Sequence, residues 1–238
     1  RSKIDINFLP SILIESVGFL FDVFFLGIVI AIFQTVREKK QRIVRYFEEI
    51  EDFRGWNERE AAFRIAGNIR RLNRVGITKI HLYNCYLSKI DLSEVSLTDS
   101  YISGANLSET NLWRANFKGA DLTETDLSGA YLKETNFEEA NMMQANISKA
   151  HIEKTIFLKS VLVNVNFSTT DLTGLNFSGS DLSSCNFSDS ILTYADFSHA
   201  TLINANLSRV VLSETDFSDT ILVKGNFVDI KSKYTRFL

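Results

Sequence analysis

Residues 105–134 read ANLSE TNLWR ANFKG ADLTE TDLSG AYLKE, six consecutive blocks of five. A large residue, leucine or phenylalanine, stands third in every block, and a small or β-branched one stands first. The third position continues in both directions. Every fifth residue from Leu82 through Leu87, Leu92, Leu97 and Ile102 to Phe227 is Leu, Ile, Met or Phe, thirty positions without an insertion. Residues one and three of a block are two apart and face the same side of an extended strand. From the third residue to the next first is a step of three, which breaks that alternation. The chain must therefore turn a corner once per block while still aiming the same two residues inward. Neither an α-helix nor a flat sheet does this; a β-solenoid does.

Longer periods give the number of corners per coil. The residues following the centres, sampled every twenty, are Ser88, Ser108, Ser128, Ser148, Ser168, Ser188 and Ser208; those preceding the same centres are Asn106, Asp126, Asn146, Asn166, Asn186, Asn206 and Asn226. One wall is thus a polar ladder, and four blocks make a coil. From Leu162 the centres alternate, Leu172 and Leu182 against Phe167, Phe177 and Phe187, which puts phenylalanine on two opposite walls. Residues 77–230 are expected to form about 7.5 coils, ~36 Å long at ~4.8 Å per strand, closed by a tail over 231–238.

These blocks resemble the pentapeptide-repeat family, whose pattern is Ala-(Asp/Asn)-Leu-X-X. Ala105-Asn106-Leu107-Ser108-Glu109, Ala120-Asp121-Leu122-Thr123-Glu124 and Ala195-Asp196-Phe197-Ser198-His199 match it in full. The resemblance implies a right-handed quadrilateral β-helix, an all-β solenoid. It also implies roles that are mostly non-enzymatic. One branch of the family mimics DNA and acts on topoisomerases, and others carry membrane segments.

The 238 residues allow one large domain or two modest ones, and 45% apolar with 23% charged residues excludes global disorder. One proline (Pro10) and eleven glycines argue against many tight turns of proline or glycine type. Two cysteines exclude a disulfide scaffold and a zinc-ligand set. Cys85 and Cys185 share the inward first slot five coils apart, ~24 Å, beyond disulfide reach, and are expected to be packed thiols. His81, His151 and His199 fall in different coils, the serines recur with the solenoid without a base, and there is no glycine-rich phosphate loop. No catalytic residue, metal, cofactor or small-molecule substrate is expected.

From Val17 to Val36 the chain reads VGFLFDVFFLGIVIAIFQTV. As a helix those residues span about 30 Å, the hydrocarbon thickness of a bilayer. Arg37, Lys39, Lys40, Arg42 and Arg45 follow at once and, by the positive-inside rule, put the C-terminal side in the cytoplasm. The segment 1–36 is therefore read as a single-pass membrane-inserted helix in a bacterial inner or thylakoid membrane. The alternatives are a core helix of a soluble protein or a signal peptide, but the charge pattern and absent cleavage site disfavour the latter. Glu15 and Asp22 lie seven apart on one helical face. They mark an oligomer seam or ion path, or, more plainly, sit near the outer interface where water reaches them. The chain opens on Arg1, so residues upstream are expected.

Residues 37–76 read as a helical connector and cap. Ile43, Phe47 and Ile50 form one apolar stripe, and Gly55 interrupts it. Asn57 with Glu60 reads as a capping box opening a second helix, whose stripe is Ala62, Ile65, Ala66, Ile69 and Leu72 and whose end is Gly76. Its arginines read as a solvated face, and its stripe as a cover for the open end of the solenoid.

Charge is unevenly spread within a net −3: residues 1–76 carry 13 basic and 10 acidic groups, residues 77–230 carry 10 and 19, and the tail adds three basic ones. The function read from these features is a non-enzymatic membrane-anchored scaffold, with the membrane and a protein partner or second copy as its contacts and no nucleic acid. A DNA-mimic modulator of a type II topoisomerase is the alternative, supported by the acidic repeat region. A pore component with the solenoid as sensor, built on Glu15 and Asp22, is a third.

Outward positions of a solenoid should be polar. On the wall centred on Leu82, Ile102, Leu122, Met142, Leu162, Leu182, Leu202 and Leu222 they include Tyr83, Tyr101, Met143, Val161, Val163, Ile203, Ile221 and Val223, and Ile156 and Leu158 extend the patch around one corner. Asp181 and Ser183 interrupt the column, which leaves one patch or two smaller ones. Contiguous outward apolar residues mark an interface.

Overall fold

Pairs of residues twenty apart form parallel bridges on four sides: His81 with Tyr101, Tyr86 with Asn106, Asp91 with Asn111, and Ser96 with Asn116. The same spacing recurs to Asp216 and Arg236. This is a four-sided β-solenoid, seen in a computed structural model that describes the backbone of residues 8–236 and the side chains of 19–236 apart from Asp22. The chain divides into two compact units, Arg1–Arg45 and Tyr46–Leu238. Helix α1 runs Phe8–Asp52 and helix α2 Arg59–Arg74. Two short strands, β1 (Val211–Ser213) and β2 (Lys231–Lys233), pair in parallel with Val211 opposite Lys231.

In the first unit the side chains from Phe19 to Val36 are almost all exposed, Phe19 at 68% and Phe33 at 71%. A stretch of α1 reaches a mean hydropathy of 2.3, and among the described residues this is the one helix long and apolar enough to cross a membrane. Among the described residues, none of that apolar window is buried. The side chains of Glu15 and Asp22 lie outside the described residues.

In the second unit the block centres fill the interior. Phe117, Phe137, Phe157, Phe177, Phe197 and Phe217 stack up one wall, and Phe167 stacks on Phe187 on the opposite wall at 5.2 Å between rings. The two columns meet edge-to-face, as between Phe167 and Phe177 at 5.7 Å, an arrangement that suits the ring quadrupoles. Alternation of centres along the sequence thus becomes two facing phenylalanine columns. The buried first-slot threonines are satisfied by a repeated bond to the centre carbonyl of the preceding coil, as from Thr110 to Leu87 at 2.6 Å and Thr135 to Leu112 at 2.8 Å.

The turns are mostly not of glycine or proline type, as composition suggests, yet they are many. The chain makes a tight turn in nearly every block, and the residue two past each centre is left-handed although it is mostly not glycine: Asn84, Lys89 and Glu94 have φ of 55°, 59° and 59°. A left-handed residue costs about 1–2 kcal/mol. Here its N–H donates along the axis to the next coil, Asn84 to Ser103 and Lys89 to Ser108 at 3.0 Å, which offsets the cost. Glycine takes this place at Gly104, where a Cβ would collide with the Asn84 side chain of the coil below.

Helix α2 also starts differently. Its N-cap is Glu58, in extended backbone and without a side-chain cap bond, so Asn57 and Glu60 form no capping box. The Glu60 carboxylate is instead engaged by Arg64 at 3.1 Å. The helix ends as expected: Gly76, at φ 82°, donates its N–H to Asn73 O, and Ile77 N–H reaches Leu72 O.

Candidate interaction surface

The first coil has no coil beneath it, and its carbonyls would be unpaired. Side chains from the helical cap take the place of the missing coil. Arg54 donates to the carbonyls of His81 and Tyr83, Arg70 to those of Asp91 and Ser93, and Asn73 to that of Ser96. Arg54 also lies over the Tyr83 ring, 3.4 Å from its centroid. The stripe read from the sequence, Ala62, Ile65, Ala66, Ile69 and Leu72, is buried. Asn68 is buried with it, its amide donating to Glu49 and accepting from Arg71. The Asn68 bond comes first in holding the Glu49 carboxyl below its ordinary value, with Arg64 assisting. Sequence reasoning assigned the arginines of α2 to a solvated face; Arg70 instead finishes an open sheet edge.

One wall is the polar ladder expected. The side-chain amides of Asn146, Asn166, Asn186, Asn206 and Asn226 each donate to the Asp126 or Asn oxygen one coil below, at 3.0–3.1 Å. Each of these asparagine oxygens also accepts the backbone N–H two residues on, as from Ser168 to Asn166 at 3.1 Å. With both functions occupied inside the wall, this face offers little to a partner.

The apolar candidates fall as follows. Tyr83, Tyr101, Met143, Ile156, Leu158, Val161, Ile203, Ile221 and Val223 are exposed, and Val163 is half-buried. Ile156 and Leu158 flank the Phe157 corner and Val161 and Val163 flank Leu162, so these four share one corner of the solenoid. Exposed apolar residues also occur where the sequence reading placed none: Tyr131, Ile191 and Tyr194 on the opposite wall, and Val228 at the end of the asparagine wall. Tyr131 stacks on His151 at 4.5 Å between rings, and alternation alone does not reveal that pairing.

The acidic excess is partly neutralised within the molecule. Basic and acidic groups one coil apart pair along the surface: Lys89 with Glu109, Arg114 with Glu134, Lys118 with Glu138, Lys133 with Glu153, and Arg209 with Asp189. Arg209 holds the Asp189 carboxyl below its ordinary value, and Arg114 does the same for Glu134. Among the described residues no group of histidine, cysteine and carboxylate side chains is arranged to hold a metal. Cys85 and Cys185 are buried free thiols, and burial pushes them up to about 11 and about 12.

The model of pentapeptide repeats matches residues 78–114, 100–137, 120–157, 159–189 and 190–227, as eight copies. The chain belongs to the pentapeptide-repeat family. Its solenoid is accordingly a right-handed β-helix, and the family is generally structural or interaction-forming rather than enzymatic. Solved pentapeptide-repeat structures similar to this chain include HetL, involved in heterocyst differentiation regulation in the cyanobacterium Nostoc sp. strain PCC 7120. It shares 23% identity over 67% of this chain and 77% of its own, with a TM-score of 0.33. QnrB1, a plasmid-mediated fluoroquinolone resistance protein, shares 20% over 65% and 82%, with a TM-score of 0.48. A pentapeptide-repeat protein of the Arabidopsis thaliana thylakoid lumen shares 21% over 57% and 70%, with a TM-score of 0.27. No curated protein sequence matches the chain.

Proposed function

We propose that this pentapeptide-repeat protein is a membrane-anchored, non-enzymatic interaction module. Residues 1–36 form a single-pass anchor, 37–76 a connector and cap, 77–230 the repeat solenoid and 231–238 a tail, whose residues up to Arg236 extend the ladder. The solenoid lies on the cytoplasmic side of a bacterial inner or thylakoid membrane, where its apolar wall engages a protein partner or a second copy. The observation that carries the anchor is the run of large apolar side chains from Phe19 to Val36, exposed among the described residues. Such a surface is unfavourable in water, and the basic cluster from Arg37 to Arg45 sets the orientation. A cleaved signal sequence is the competing use of the same helix. Washing membranes with carbonate tests both: the full chain should remain in the pellet at its full length, and a chain lacking residues 1–36 should appear in the soluble fraction with a β-rich spectrum. A shortened chain in the soluble fraction would mark a signal sequence, and a pelleted deletion variant would refute the anchor assignment.

A further inference from the structure

Three backbone hydrogen bonds join each block to the one a coil above it, and among the described residues this holds for every centre from Leu82 to Ile147. At the next three centres, Ile152, Phe157 and Leu162, one of the nine remains, from Asn164 N–H to Ser183 O at 2.9 Å. The bonds resume in full at Phe167. The bridges break in the same places: His151, Ile156 and Val161 pair with the coil below them but not with Asp171, Asn176 and Asp181 above, whereas Asn146, Asn166 and Asn186 remain paired.

Independent features coincide with this gap. The Phe157 and Phe177 rings are 5.9 Å apart, against 5.0–5.5 Å for the other pairs of their column. Across the solenoid, Phe167 and Phe187 stay at 5.2 Å. Ile152 is half-buried, while the other centres from Leu82 to Phe217 are buried. A cleft of about 510 Å³ lies beside it, lined by Lys133, His151, Glu153 and Asp171 among others. Cβ atoms built on Gly174 and Gly179 would meet nothing within 4 Å, although those on Gly104, Gly119 and Gly129 would touch the coil below. Leu175 is the one leucine in the inward first slot of the solenoid. It is buried in the block of Phe177, and its column carries Thr155 one coil below and Ala195 one coil above.

We infer that the solenoid is two stacked segments joined by a hinge, open on three sides between residues 150–163 and 170–183 and held on the fourth by the asparagine wall. Besides its three backbone bonds, the fixed side keeps three further connections across the junction: the Asn186 amide on Asn166, the Phe167–Phe187 stack, and the Cys185 thiol on the Leu162 carbonyl at 2.9 Å. The spacing is wider on the wall opposite, 5.9 Å against 5.2 Å between rings, as rotation about that side requires. Leu175 is the wedge: its extra volume in a column elsewhere filled by Val95, Ala115, Thr135, Thr155, Ala195 and Thr215 keeps the two coils from closing to ladder distance. Ile156, Leu158 and Val161 line the mouth, so opening adds the inner faces of Phe157 and Phe177 to the exposed apolar surface there. Backbone amides without a protein acceptor, in a junction with few shared bonds, belong to the low-stability end of a fold.

Hydrogen exchange by mass spectrometry or NMR on the full chain in detergent tests this. The amides of Ile152, Lys154, Phe157 and Lys159 should exchange roughly tenfold or more faster than those of Leu132, Glu134, Phe137 and Glu139 one coil below, while Phe167, Thr169 and Asn186 stay as protected as their neighbours. In Leu175→Ala, the residue that column carries at Ala195, the fast set should slow to the rate of the coil below. Equal protection of the two sets in the parent chain, or equally fast exchange on the asparagine wall, would overturn the hinge. Unchanged fast exchange in Leu175→Ala would overturn the wedge.

Discussion

Arg70 grips Asp91 from beneath the first coil: its Nη2 donates to the Asp91 carbonyl at 3.0 Å and stands 3.5 Å from the Asp91 carboxylate. The relationship is architectural. That carbonyl corresponds to Asn111 O one coil higher, which accepts the N–H of Leu92. A guanidinium, with its fork of donors, serves two carbonyls at once and stands in for a strand.

Arg70→Ala therefore removes the partner of two backbone acceptors rather than one surface charge. The expected loss is about 1–3 kcal/mol in urea unfolding, with Arg70→Lys recovering part of it because one of the two bonds can be kept. A variant as stable as the parent would show that water serves the first coil equally well.

The buried thiols give the protein an alkaline limit. Burial raises Cys85 to about 11 and Cys185 to about 12, from an ordinary 9.0. The folded state favours the neutral thiol, so this contribution is complete below pH 9 and is lost as pH climbs through 11 and 12. A Cys85→Ala, Cys185→Ala chain should lose less of its circular-dichroism signal between pH 9 and 12 than the parent does. Identical alkaline curves would contradict the assignment. The same burial predicts no labelling of either thiol by iodoacetamide at pH 8 in the folded state.

The topoisomerase alternative rests on the excess of acidic residues over 77–230. A duplex mimic needs uniform negative columns, and here Lys89, Arg114, Lys118, Lys133 and Arg209 sit against the acids one coil away. The expected result in a gyrase supercoiling assay is no change at stoichiometric amounts of this protein. Inhibition, or protection from a quinolone, would favour the mimic.

The period of five and the coil of twenty were legible because an inward residue recurs at a constant spacing from Leu82 to Phe227. The facing phenylalanine columns and the asparagine ladder follow from the same arithmetic. The turns were hidden because lysine and glutamate, which carry no turn signal of their own, take the left-handed position when the next coil supplies an acceptor. The capping roles of Arg54 and Arg70 were hidden because nothing in a linear pattern pairs an arginine with a carbonyl 21 to 29 residues away. A trace of the hinge was present in the sequence: Leu175 breaks the small-residue slot. Its effect depends on the residues that the coils below and above bring into its column, which requires the stack to be known. The exposed corner of Ile156, Leu158 and Val161 was readable from alternation, whereas Tyr131, paired with His151, was not.

The interaction wall is the central claim, and Val161, Val163 and Ile221 test it most directly. None is a block centre or a first-slot residue, so the triple change to serine should leave the circular-dichroism spectrum and thermal midpoint of the detergent-solubilised chain unaltered. Light scattering on the eluting particle, with crosslinking in native membranes, should then show the parent associated with a second copy or a partner and the triple variant alone. An unchanged mass and an unchanged crosslinking pattern in a normally folded triple variant would contradict the account.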